Sequence, residues 1–164
     1  MNKRIFTLLS LFSISFLSAQ EKAYFLSNPS LSPDAKTAYF SFEGDIWKVD
    51  ANGGNTSRIT ALEGEAINPR VSPDGKWLAF SSNQYGNYDV FVIPIDGGTI
   101  KQLTFHQGKD EMESWSWDSE TIYYTSTQNN NFGSFKTTLK GETPQPLFNH
   151  YFNTTNGLVE TPKG

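Results

Sequence analysis

The stretch VSPDGKWLAFSS (Val71 to Ser82) repeats an arrangement already written as LSPDAKTAYFSF (Leu31 to Phe42), and a worn copy follows as WSWDSETIYYTS (Trp115 to Ser126). The second and third copies align at a constant displacement of 44 with no gap: Ser72 on Ser116, Asp74 on Asp118, Phe80 on Tyr124, Ser82 on Ser126, Gly97 on Gly141 and Leu103 on Leu147. The first copy aligns with the second at 40 through Pro29/Pro69, Ser32/Ser72, Asp34/Asp74 and Phe40/Phe80. It then aligns at 44 through Asp45/Asp89, Val49/Ile93, Gly53/Gly97 and Thr60/Thr104. The four extra residues therefore fall in one loop, Ser82 to Tyr88. An insertion confined to a loop while the apolar positions keep step is the mark of stacked structural units.

A period of about 40 to 45 residues holding several short strands predicts the blade of a β-propeller. The second unit divides into strands at Ile67–Ser72, Trp77–Ser82, Tyr88–Ile95 and Ile100–Thr104. The first and third units supply equivalents. Ser72-Pro73-Asp74-Gly75 reverses the chain between the first two strands, with Pro presetting φ, Asp bonding nearby amides and Gly accepting a positive φ. The same turn is read at Ser32, Pro33 and Asp34, and at Ser116 and Asp118, where Ala35 and Ser119 replace Gly75. If that position is left-handed, each replacement costs about 1 kcal/mol. WLAF and DVFVI are almost continuously apolar, as expected of strands covered on both faces. The fourth strand is polar and carries Arg58 or Lys101, which suits an outer edge.

The fold class is therefore all-β: four-stranded antiparallel blades forming an incomplete ring of about three blades plus the start of a fourth. The units run approximately 23–60, 66–104, 110–148 and 152–164, the last ending on Thr161-Pro162-Lys163-Gly164 as a further copy of the turn. Three blades and a stub do not close a ring, so the expectation is a segment of a longer protein. Residues 1–19 read as a signal peptide: Lys3 and Arg4 precede an uncharged apolar run, with small residues before Gln20. That run is too short to span a bilayer, so the chain is expected to be exported, periplasmic or secreted, with no membrane span after cleavage.

No cysteine is present, which removes disulfides, thiolate metal sites and cysteine nucleophiles together. Removing Lys3 and Arg4 leaves 11 basic against 17 acidic residues, a net charge of −6, with no basic footprint for nucleic acid. FGSF (Phe132 to Phe135) lacks the second glycine of a nucleophile elbow, and His106 and His150 read as surface-loop residues. His106, Asp110, Glu111 and Glu113 lack a recognised ligand spacing and read as a linker between blades. Asp50 to Asn55 reads as a hairpin turn rather than a calcium loop. Trp47, Trp77, Trp115 and Trp117 are read as core rather than as a ligand-stacking surface. Asn55 and Asn153 open glycosylation sequons. No catalytic, cofactor or metal residue is assigned.

The units NPSLSPDAKTAYFSFEGDIWKVDANGG and NPRVSPDGKWLAFSSNQYGNYDVFVIPIDGGTIKQLT resemble the Ser-Pro-Asp-Gly propeller repeats of TolB, of prolyl-oligopeptidase-type enzymes and of tricorn proteases. Blades that begin directly after the signal segment resemble most the N-terminal propeller of a bacterial tricorn-type serine peptidase. That resemblance implies a noncatalytic segment that gates or binds peptide substrates for a C-terminal protease domain. The implied partners are a peptide or protein substrate and the remaining blades and protease domain of the parent chain, with homo-oligomeric assembly left open. The alternatives are a TolB-like scaffold that grips a protein partner, or the propeller of a prolyl-oligopeptidase-type hydrolase.

Overall fold

The computed structural model describes residues 26–128, 132–148 and 159–161. The proposed signal segment, His150, Asn153 and most of the proposed fourth unit lie outside the described residues.

Among the described residues, twelve strands form three four-stranded sheets. The first holds β1 (Ser27–Leu31), β2 (Thr37–Phe42), β3 (Asp45–Asp50) and β4 (Ser57–Arg58). The second holds β5 (Ala66–Val71), β6 (Trp77–Ser82), β7 (Asp89–Pro94) and β8 (Lys101–Gln102). The third holds β9 (Asp110–Trp115), β10 (Thr121–Ser126), β11 (Gly133–Thr138) and β12 (Gln145–Pro146). Neighbouring strands in each sheet are sequential and antiparallel. This is the blade architecture read from the repeat.

Strand limits differ from the sequence reading in instructive ways. The first strand of blade 2 stops at Val71 because Ser72 already belongs to the turn, its amide bonded to Trp77 O at 2.9 Å. The fourth strands shrink to two residues each. A larger correction concerns Asp110, Glu111 and Glu113. They are not linker residues; they lie on β9, the first strand of blade 3. Gly108 and Lys109 complete the linker, and Asp110 N is tied to Tyr88 O of blade 2 at 2.7 Å.

Blade 2 is covered on both sides, so β6 and β7 are buried along nearly their whole length. One face, Leu78, Phe80, Phe91 and Ile93, packs on Tyr39 and Ile46 of blade 1. The other, Ala79, Val90, Val92 and Leu103, packs on Met112, Trp115, Ile122 and Tyr124 of blade 3. Phe80 and Phe91 stack at 5.8 Å, and burial of each contributes about 1.5–3 kcal/mol. Polar fasteners align the blades: Arg70 Nε donates to Glu113 O (2.9 Å), Trp115 Nε1 to Arg70 O (2.9 Å), and Met112 N to Ser81 Oγ (2.7 Å).

In blades 1 and 2 a buried aspartate at the start of the third strand anchors the fourth. Thr60 Oγ1 donates to Asp45 Oδ1 at 2.9 Å while accepting from Ile46 N, and Thr104 Oγ1 does the same for Asp89 at 3.1 Å and Val90 N. In blade 3 the corresponding residues are Gly133 and Phe148, and this bracket is gone.

Candidate functional site

The three corners between first and second strands share one geometry. The serine hydroxyl donates to the aspartate two residues on, at 2.6 Å (Ser32 to Asp34), 2.6 Å (Ser72 to Asp74) and 2.5 Å (Ser116 to Asp118). It accepts in turn from the amide that opens the second strand, Thr37, Trp77 or Thr121, at 2.8–3.0 Å. The same aspartates accept from the amides of Lys36, Lys76 and Glu120. These bonds, the serine's foremost, hold all three carboxyls below the ordinary aspartate range. The residue after the aspartate is left-handed in every blade: φ is 57° at Ala35, 72° at Gly75 and 66° at Ser119. The condition set by the sequence is thus met, and Ala35 and Ser119 occupy a conformation that glycine takes without strain.

The corners stack into a strip. Asp74 N donates to Ser119 Oγ of the next blade at 3.0 Å, and a methyl group at Gly75 would touch the Pro33 ring at 4.0 Å. Leu31, Pro33, Val71, Pro73 and Trp117 line a shallow cavity of about 520 Å³ there. Trp117 is 60% exposed and Leu31 56%. Reading all four tryptophans as core is therefore corrected for Trp117. It stands in the register position of Pro33 and Pro73, on the outside of a turn, and that register was the signal that marks it as exposed. Trp115 is buried, Trp77 packs partly against the same core, and Trp47 is half-buried with its indole N–H on Phe42 O at 3.1 Å.

Charge changes along the strip. Lys36 pairs with Asp34 at 3.6 Å and Lys76 with Asp74 at 3.2 Å, but blade 3 has Glu120 where the lysine stood. Glu160 adds a carboxylate, accepting from Trp117 N at 2.7 Å. One end of the strip is thus apolar and acidic together, suited to holding an extended chain that carries basic or apolar side chains. A second cavity of about 480 Å³ lies on the open face of blade 1, between Leu26, Phe40, Phe42, Trp47 and Val49.

Of the other residues weighed for chemistry, Ser134 is buried on β11. His106 is exposed, and its Nδ1 accepts from Gly108 N at 2.9 Å. Asp50 bonds Asn52 and closes the hairpin at Gly53. Among the described residues no group of three or more His, Cys, Asp or Glu is placed to hold a metal ion.

Three consecutive antiparallel four-stranded blades, joined through their first strands and cornered alike, define a β-propeller. The tricorn protease N-terminal beta propeller domain matches residues 23–155, and the chain belongs to that family. Tricorn protease homolog 1 of Streptomyces coelicolor is 34% identical over 62 residues, which is 38% of this chain and 6% of that protein. The crystal structure of TolB from Acinetobacter baumannii superposes with a TM-score of 0.67 at 23% identity, over 79% of this chain and 34% of that one. That of the tricorn protease gives 0.58 at 16% identity, over 73% and 14%. The chain spans a small part of each of these relatives, and the structural matches speak for the fold.

Proposed function

We propose that this chain is a noncatalytic propeller segment of an exported tricorn-like serine peptidase, which binds or gates peptides for a protease domain outside these residues. The observation that carries the reading is the corner strip, where Trp117 and Leu31 stand exposed beside Asp118, Glu120 and Glu160. An apolar groove with a few oriented polar groups is the usual form of a ligand site. Exposed indole and proline surface holds an extended chain without demanding one sequence. The mechanism is steric selection, in which extended peptides are admitted and folded proteins are turned away. The apolar run with small residues at its end, Ile5 to Ala19, supports export.

The test is tryptophan emission titrated with unstructured ten-residue basic peptides. Saturable change in the wild type, lost in W117A and reduced with folded proteins of the same charge, is expected. Equal responses from wild type and W117A would reject the strip as the binding surface. The likeness to TolB favours a second reading, a scaffold that grips a folded protein and hydrolyses nothing. Saturable binding of folded protein, with no response to short peptides, would select it.

A further inference from the structure

The two joints between blades are built from the same positions but differ in charge. At the joint of blades 1 and 2, Asp45 faces a cation: Arg58 Nη2 lies 2.8 Å from Asp45 Oδ2, and Arg58 Nε donates to Thr60 O at 2.6 Å. At the joint of blades 2 and 3 the arginine is replaced by Gln102, whose amide donates to Asp89 Oδ2 (3.0 Å) and Thr104 O (2.8 Å). The geometry is copied and the positive charge is lost. Two further replacements add polar groups on the blade 3 side. Asp110 takes the register position of Ala66, and Tyr124 that of Phe80.

Asp89, Asp110 and Tyr124 are 3%, 1% and 1% exposed. Both carboxylates converge on one hydroxyl, Thr104, which has a single hydrogen and gives it to Asp89 Oδ1. Ser126 also bonds Asp110. Asp110 Oδ1 and the Tyr124 hydroxyl find no partner among the described residues. Two buried like charges with one hydrogen too few between them are costly, and a carboxyl proton removes both deficits.

We propose that Asp89 and Asp110 hold one proton between them, and that this proton fastens the joint between blades 2 and 3. Burial raises both carboxyls, Asp89 to about 6, against the bonds from Thr104, Gln102 and Ser126. The other groups facing the pair are few. His106 in the linker favours the ionised forms, while Tyr124 is held neutral by burial and by both aspartates. Lys109 is engaged elsewhere, with Glu111 at 2.9 Å and over the Tyr88 ring. A carboxyl raised on folding binds protons that the unfolded chain releases. The joint is therefore strongest at or below the usual aspartate range and weakens as pH rises to about 6. The corner aspartates, which are lowered, contribute a constant amount above that range and lose it only as pH falls below it.

The experiment compares denaturant unfolding of the wild type and D110A from pH 4.5 to 7.5. Alanine is tolerated at the matching position of blade 2, and the Asp89 brackets to Thr104 and Gln102 remain. The wild-type folding constant divided by that of D110A should rise up to about tenfold per pH unit as pH falls below 6. A ratio independent of pH would overturn the proposal. A second measurement does not depend on the variant's folding. The side-chain carboxyl carbons of wild-type Asp89 and Asp110 should show at least one titration midpoint above pH 5, and two ordinary midpoints would overturn it. Calcium chloride that stabilises the wild type at constant pH, but not D110A, would assign the missing positive charge to a metal ion and overturn it as well.

Discussion

At the scale of single residues, the corners combine strain and hydrogen bonding in a way that separates otherwise similar substitutions. Ala35 is left-handed at φ 57°, so A35G should stabilise by up to about 1 kcal/mol in urea unfolding, less the entropy glycine adds to the unfolded chain. Ser119 has the same backbone, but its hydroxyl accepts from Asp74 N. S119G should therefore gain less than A35G or nothing, since a lost bond of about 1 kcal/mol offsets the relief. Equal gains would show that the contact between corners contributes no stability. S72A leaves the Trp77 amide without its side-chain acceptor at a fully buried position and should cost about 1–3 kcal/mol. The turn residues were legible in the sequence because Ser-Pro-Asp encodes local geometry. Trp117 was misread because the core reading rested on the register of Trp47 with Phe91 and of Trp115 with Val71, and Trp117's own register with Pro73 was not weighed. A tryptophan at a proline's place on a turn is exposed whatever its hydropathy.

At the scale of elements, the alternation of covered faces decides the energetics. F80A removes a ring buried between blades 1 and 2 and should cost about 3–5 kcal/mol by chemical denaturation. F42A, on the open side beside Trp47, should cost clearly less. The strands were legible because apolar runs and turns punctuate them at fixed intervals. The start of β9 was not: DEMESW carries three acids and looks like a linker. It is a strand because it pairs with β10, Ser126 opposite Asp110 and Tyr124 opposite Met112. Burial of one of those acids is a tertiary fact, visible only once blade 2 is laid against it. The bracket of Asp45 with Thr60, and of Asp89 with Thr104, was present in the alignment as matched pairs. Nothing in residue type alone said that they touch.

At the scale of the whole molecule, each blade finds its core on a neighbour. Blade 1 presents Phe40, Trp47 and Val49 on a face that in blade 2 is covered. The chain by itself should therefore bind a hydrophobic dye and associate with rising concentration, and sedimentation at several concentrations checks this. A monodisperse species with no dye binding would contradict it. The central claim, that these sheets are buried against one another and not within themselves, is tested most directly by hydrogen exchange resolved to single amides. Leu78 to Ser82 and Val90 to Ile93 of the middle blade should exchange slowest, with β2 and β3 faster although their ladders are equally regular. Equal protection in all three blades, or slowest exchange in blade 1, would contradict the stacked architecture.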